Sequence, residues 1–181
     1  MRRYGERSGG PARPKLSGNS SSHVEEGAQP QIMSSAASSA LAPPPAAVAK
    51  ALDASLHSPC LSKRGVSVWD PATLKVVATG YNWKLPGDAC TGDARCKGTC
   101  SKSAVHAEQS ALLMLGRNAG NMDMLHVKTV DGALVASGPP SCVECSKLIA
   151  AACIAGMWLY HQGGWRRYTA AEFHRLSLEA T

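Results

Sequence analysis

The spacing of apolar positions changes at residue 46. From there Val48, Leu52 and Leu56 recur every four residues with Ala51 beside them, the period of an amphipathic helix. Ser58-Pro59 closes that helix, because proline disfavours the helical conformation in the residue before it. Two short runs rich in β-branched residues follow, 65–69 and 74–79, on either side of Asp70-Pro71-Ala72-Thr73, and predict a hairpin. Residues 106–115 read as a helix ended by Gly116 or Asn118. Residues 124–130 read as a strand closed by Asp131-Gly132, 142–152 as a second helix and 157–160 as a strand. Thr169-Ala170-Ala171-Glu172 has capping-box spacing and starts a last helix that runs through Leu178. Helical crossovers therefore separate the last three strands, which lays them parallel, while the first two pair antiparallel. The expected fold is α/β, a three-layer α/β/α sandwich on a mixed sheet.

Residues 1–45 show no such period. They hold Ser20-Ser21-Ser22, Ser34-Ser35-Ala36-Ala37-Ser38-Ser39 and Pro43-Pro44-Pro45 among scattered charges, and cannot bury enough apolar surface to offset their ordering entropy. The reading is a disordered tail before one domain at 46–181. A plain linker is favoured over an organelle transit peptide or a nucleic-acid-binding arm, and a start of translation at Met33 would remove most of the tail. The net charge of the 181-residue chain is +6, of which the tail carries +2 and the rest +4, so the domain is only mildly basic. With 44% hydrophobic and 18% charged residues, the chain fits a single soluble domain. It has no run of about eighteen apolar residues and no apolar stretch near Met1, so neither a membrane span nor a secretory signal is expected. The expected location is cytoplasmic.

Seven cysteines is an unusual number for such a chain, and five of them lie between Cys90 and Cys145. An odd count without a secretory signal argues against a disulfide framework and for thiols that are free, catalytic or metal-bound. Cys142 and Cys145 are three apart at the start of a helix, on one face, where the helix dipole favours thiolate. With His106, at the start of the preceding helix, they supply three ligands for tetrahedral zinc and leave the fourth position open, as in catalytic sites. Glu108, two residues from that histidine, is placed to take a proton from water activated by the metal and return it to a substrate. A thioredoxin-type redox pair would lack the His-x-Glu, and a purely structural zinc would want a fourth Cys or His and leave Glu108 without a purpose. His126, His161 and His174 read as ordinary core or surface histidines. Cys153 reads as a buried small hydrophobe.

His-x-Glu followed by Pro-Cys-x-x-Cys is the known signature of zinc deaminases. Here Ser141 precedes Cys142 and the proline sits one position earlier. Over most of residues 46–165 the chain resembles the cytidine deaminase-like superfamily and, within it, the deoxycytidylate (dCMP) deaminases. The resemblance is carried by Ser58-Pro59-Cys60 leading into Gly65-Val66, Thr79-Gly80-Tyr81-Asn82, Ala104-Val105-His106-Ala107-Glu108, Cys142-Val143-Glu144-Cys145-Ser146-Lys147-Leu148-Ile149, and Ala155-Gly156-Met157-Trp158-Leu159-Tyr160. It implies a zinc-dependent hydrolase that converts dCMP to dUMP and ammonia, supplying dUMP for thymidylate synthesis. It also implies that Asn82 hydrogen-bonds near the sugar, the Ala107 N–H holds the pyrimidine carbonyl, and the Ser141 carbonyl accepts from the leaving amine. Lys63, Arg64, Lys84, Lys102, Arg166 and Arg167 are candidates for phosphate contact.

The alternatives are a deaminase of polynucleotides (transfer-RNA adenosine or single-strand cytosine), one of free (deoxy)cytidine, and a zinc-supported binding module using the basic tail. A homo-oligomer is expected, because family members commonly form dimers or hexamers. Some dCMP deaminases hold a second, structural zinc with cysteines at positions like Cys60 and Cys90. The loop from Cys90 to Cys100 has little with which to fold itself. A second zinc on Cys90, Cys96 and Cys100, with Cys60 as fourth ligand, is therefore expected, reduced free thiols being the alternative.

Overall fold

Pro44 and Pro45 set the start of helix α1 (Pro45–Leu56), where a missing N–H costs nothing. The face it buries is Ala47, Ala51, Ala54 and Ser55, while Val48 and Leu52 are half-buried and Leu56 is exposed. The expected Val48, Leu52, Leu56 stripe is thus rotated, and the reason is the strand beneath it. A Cβ on Gly65 would lie 1.9 Å from the Ala51 carbonyl oxygen, so α1 packs almost backbone to backbone on β1 (Lys63–Trp69), which only small residues allow.

The chain is described here by a computed structural model over residues 42–180, apart from 87–89, 91–92, 94–95, 97–102 and 117–118. These residues belong to one unit, Ala37–Thr181. Residues 1–41 of the expected tail lie outside the described residues.

The expected hairpin forms from β1 and β2 (Val76–Tyr81), paired antiparallel through Val66↔Gly80 and Val68↔Ala78. A two-stranded ladder of β3 (Trp83–Lys84) and β4 (Ala104–Val105) leads into helix α2 (Ala107–Leu115), which ends at Gly116 with a positive φ. Strand β5 (Asp123–Val130) pairs antiparallel with β1 and parallel with β7 (Gly156–His161). Helix α3 (Val143–Ala151) makes the crossover between β5 and β7, and helix α4 (Ala170–Glu179) closes the chain. The main sheet runs β2-β1-β5-β7-β8, so β2, β5 and β7 point the same way, as the crossovers require.

Besides β3 and β4, two strands of the main sheet were not expected. β6 (Ala133–Val135) turns back on β5 through Asp131 and Gly132, both at positive φ, and β8 (Gly164–Thr169) turns back antiparallel on β7. β8 reads Gly-Trp-Arg-Arg-Tyr-Thr, too polar to announce a strand, and is held in place by its pairing with β7.

Alternation along the strands splits the core in two. Val66, Val68, Met124, Met157 and Leu159 face α2 to α4, together with Ala107, Ala111, Ile149 and Phe173. Trp69, Leu125, Val127 and Trp158 face α1. This is the expected three-layer α/β/α sandwich. On the first of these faces α2 lies close to β2, since a Cβ on Gly80 would sit 2.4 Å from the Ala111 nitrogen. Among the described residues, no helix is long and apolar enough to cross a membrane.

Cys153 departs from the expectation. It is exposed and takes φ 57° just after α3, the left-handed position that ends a helix, while the Ile154 N–H bonds back to the Ile149 carbonyl at 3.2 Å.

Buried Asp123 ties three strands together. Its carboxylate accepts from Trp158 Nε1 at 2.8 Å and from Arg167 Nε and Nη2 at 2.8 and 2.7 Å. Removing a carboxylate from a buried, hydrogen-bonded pair costs several kcal/mol, reduced here because Arg167 is partly exposed. Asp123→Ala is expected to lower unfolding free energy by about 3 kcal/mol in urea titrations. Arg175→Ala, which breaks the exposed Arg175–Glu179 pair on α4, is expected to cost about 0.5 kcal/mol.

Candidate metal centre and active-site cavity

Two helix starts meet on the α2–α4 face of the sheet. His106 is the N-cap of α2, and its N–H donates to Gln109 Oε1 at 2.8 Å, so the His-Ala-Glu-Gln sequence fixes where the helix begins. Cys142 is the N-cap of α3, and its sulfur accepts the Cys145 N–H at 3.4 Å. These caps bring His106 Nδ1 to 3.1 Å from Cys145 Sγ and 3.3 Å from Cys142 Sγ. The three ligand atoms all lie within 4.8 Å of one another. A zinc tetrahedron with bonds of about 2.1 Å to nitrogen and 2.3 Å to sulfur has N–S edges of roughly 3.6 Å, so a small expansion of the cluster accommodates the ion.

The protonation chemistry of the cluster also fits a metal. A hydrogen bond from Cys145 holds the Cys142 thiol down at about 5, against burial, and the His106 ring adds to the effect. The same contact with Cys142, together with burial and the nearby Glu108, pushes the Cys145 thiol far up. His106 is raised, first by its bond to Cys142 and against burial. Without a cation, then, one sulfur ionises and its partner cannot. Two thiolates beside a buried carboxylate need a divalent ion between them, and the residues present fit zinc with His106, Cys142 and Cys145 as ligands.

A cavity of about 360 Å³ opens over this cluster. His106, Ala107, Glu108 and Cys142 form one wall, and residues 137–141, between β6 and α3, form another. Asn82 and Arg64 come from the β1–β2 side, His126 from β5, and Leu159 and Phe173 supply apolar surface. The expected site residues Asn82, Ala107, Glu108 and Ser141 therefore share one cavity with two of the ligands, while Cys145 lies buried beneath it. Asn82 is tied into the scaffold: its Oδ1 accepts from Ser58 Oγ and the Arg64 N–H, and its Nδ2 donates to the Ser62 carbonyl, which leaves one amide proton free.

Glu108 is buried, with Oε2 3.7 Å from Cys145 Sγ and Oε1 3.9 Å from His126 Nε2. Burial by itself would raise its carboxyl, yet His126, its own backbone N–H, His106 and Arg64 together hold it below the ordinary value. Burial lowers His126 against the pull of Glu108. His126 is thus a part of the site and not the ordinary histidine the sequence suggested. Its β5 register, opposite Val66 of β1, turns it to the α2–α4 face, and no local sequence signal announces that.

Of the other expected metal ligands, only Cys90 and Cys96 are in contact among the described residues, and Cys60 does not complete a three-ligand group with them. Cys90 Sγ and Cys96 Sγ are 3.2 Å apart, and Cys60 is buried nearby, its thiol raised by burial and further by Cys90 and Cys96. Cys100 lies outside the described residues. Of the six candidate phosphate contacts, Arg64 alone lines the cavity among the described residues, and Lys102 is not described.

The frame is a three-layer α/β sandwich that brings a histidine and two cysteines, which could hold a metal ion, beside a buried glutamate. Solved structures similar to it include three of deaminases. The dCMP deaminase of cyanophage S-TIM5 in its apo form is 22% identical, with a TM-score of 0.43 over 62% of this chain and 77% of that one. The same enzyme in complex with dCMP and dUMP is 23% identical, with a TM-score of 0.45 over 62% of this chain and 76% of that one. A cytidine deaminase from Burkholderia pseudomallei is 19% identical, with a TM-score of 0.49 over 71% of this chain and 93% of that one. No protein-family model and no curated protein matches the chain.

The depressed Cys142 thiol gives a direct test. In the metal-free protein, iodoacetamide should alkylate Cys142 through its thiolate above pH 5 and progressively less as pH falls through about 5. Zinc should protect it, and Cys145 should stay unmodified throughout. Peptide mapping by mass spectrometry that finds Cys142 unreactive at pH 7 without metal would contradict the assignment.

Proposed function

We propose that the chain is a zinc-dependent hydrolase that deaminates a cytosine nucleotide, converting dCMP and water to dUMP and ammonia. The observation that carries this reading is the position of Glu108, buried against the His106–Cys142–Cys145 cluster and open to the cavity. A structural zinc has no use for a carboxylate there, and a redox pair has no use for the histidine. Bound zinc would lower the pKa of water into the neutral range.

Glu108 carries the protons. Held ionised at neutral pH, it accepts one from the attacking water and delivers it to ring N3 as oxygen adds at C4. It then passes the second proton to the amine, which leaves as ammonia, and the C4 carbonyl of uracil remains. The Ala107 N–H belongs to the first turn of α2, where helix geometry provides no intrahelical acceptor, so it is available to the pyrimidine carbonyl. Ser141, at the cavity wall just before α3, would offer its carbonyl to the amine. That the neighbouring structures include a dCMP deaminase with dCMP and dUMP agrees with a nucleotide substrate.

A second reading, a deaminase of single-stranded polynucleotide, draws on a groove that shares Ser137, Gly138 and Pro139 with the cavity. Trp165, packed on Tyr160, and Arg166, over the Tyr168 ring, line that groove and could stack on a flanking base. Ammonia release from cytidine, deoxycytidine, their monophosphates and a single-stranded oligonucleotide separates the readings, and dCMP is expected to be the preferred substrate.

Glu108→Ala is expected to keep its zinc by elemental analysis and to lose roughly 10³-fold or more in kcat. Activity retained in that variant would contradict the role given to Glu108. For the second metal we propose Cys60, Cys90, Cys96 and Cys100, supported by the Cys90–Cys96 contact and the burial of Cys60 beside them. Two zinc ions per chain are expected, falling to one in Cys90→Ser with the His106 cluster still loaded. One zinc per chain in the parent protein would remove the second site.

A further inference from the structure

Helix α3 buries Cys145, Ser146 and Ile149, so a hydroxyl lies on its buried face directly beside Cys145. A buried hydroxyl needs partners, and Ser146 has two. Its Oγ is 2.8 Å from the Val143 carbonyl oxygen, in the first turn of the same helix, and 2.8 Å from Nδ1 of His174 on α4. A serine hydroxyl has one hydrogen to give. The Val143 carbonyl can only accept, so that hydrogen goes to Val143 and the contact with His174 takes its hydrogen from Nδ1. The neutral His174 ring is therefore the Nδ1-protonated tautomer, donating to Ser146.

The turn that this relay reaches is the one that carries both sulfurs. Cys142 caps it, the Ser146 N–H donates to the Cys142 carbonyl at 3.0 Å, and the Cys145 N–H donates to Cys142 Sγ. Two thiolates three residues apart repel each other, so a turn free to open would spread them and loosen an ion between them. The other end of the relay is firm. Thr169 Oγ1 caps α4 by accepting the Glu172 N–H at 3.1 Å, and Phe173, beside His174, is buried edge-on against Tyr168 of β8. Neither His174 nor Ser146 lines the cavity, so the pair acts on the site only through α3.

Resting on the zinc reading of the cluster, we propose that His174 is a positioning residue of the metal centre: through Ser146 it clamps the first turn of α3 and so holds Cys142 and Cys145 at the spacing that zinc requires. Helix α4 thereby becomes part of the metal site without lending it a ligand. Hydrogen-bond partners behind the ligands of a metal typically change its affinity by about 10- to 100-fold.

Zinc affinity of the full chain, measured by competition with a chromogenic chelator, tests this without turnover. Cys90→Ser in the background confines loading to the His106 cluster. His174→Ala and Ser146→Ala are each expected to weaken zinc binding about tenfold, and the double variant by no more than about twofold beyond either, because both break one relay. His174→Asn, whose amide N–H takes the place of the ring Nδ1–H, should stay within about threefold of the parent. Leu176→Ala removes half-buried packing from the same helix, and should lower unfolding stability while leaving zinc affinity within about twofold. Nitrogen-15 spectra of the neutral His174 ring in the zinc-loaded parent should place the hydrogen on Nδ1. A hydrogen on Nε2 would overturn the proposal without any variant. So would parent-like zinc affinity in His174→Ala, a His174→Asn that binds no tighter than His174→Ala, or a Leu176→Ala that weakens zinc as much as His174→Ala. Absence of ammonia release from dCMP alongside a His174-dependent zinc affinity would instead count against the deaminase reading and leave the role of His174 standing.

Discussion

The contact between His106 Nδ1 and the sulfurs of Cys142 and Cys145 is the constraint around which the rest of the domain is arranged. Three soft ligands cannot be held this close in a buried place without either protons or a cation between them. The fold holds them there by rigid means. Gly80 lets α2 press against β2, the Gln109 side chain fixes the first turn of α2, and Cys142 caps α3 with its own sulfur. Binding of a metal there would be coupled to folding of this face, since the helix starts that make the site also build the core of Ala107, Ala111, Cys145 and Ile149.

Polar groups divide the cavity by task. Near His106 and the two cysteines, Glu108 is buried yet its carboxyl is held below the ordinary value by surrounding histidines and arginine, which suits the role of first proton acceptor proposed for it. Elsewhere in the lining, His126 Nδ1 and Ser137 Oγ are buried and without a hydrogen-bond partner among the described residues. The apolar side chains Leu159 and Phe173 line the cavity and lower the local dielectric, which strengthens these interactions.

The ligand set and Glu108 could be read from the chain alone because their spacing is local: two residues within one helix start, and three within another. The helix and parallel-strand order could be read for the same reason. What escaped reading depended on distant pairing. Strands β6 and β8 are short or polar, and exist because β5 and β7 offer edges to them. The buried face of α1 follows from the close approach of Gly65, and the exposure of Cys153 from its left-handed position after α3. His126 belongs to the cavity through the register of β1 on β5, across some sixty residues of chain, so its place is visible only once the sheet is assembled.

Hydrolysis at a zinc centre is the central claim, and isotope incorporation tests it most directly. The zinc-loaded protein would be incubated with dCMP in water enriched in oxygen-18, and the product and ammonia measured together. The account predicts dUMP carrying a single solvent-derived oxygen at C4, released one for one with ammonia and abolished when zinc is removed. No uracil nucleotide from the fully loaded protein, or a product formed equally well without metal, would contradict it.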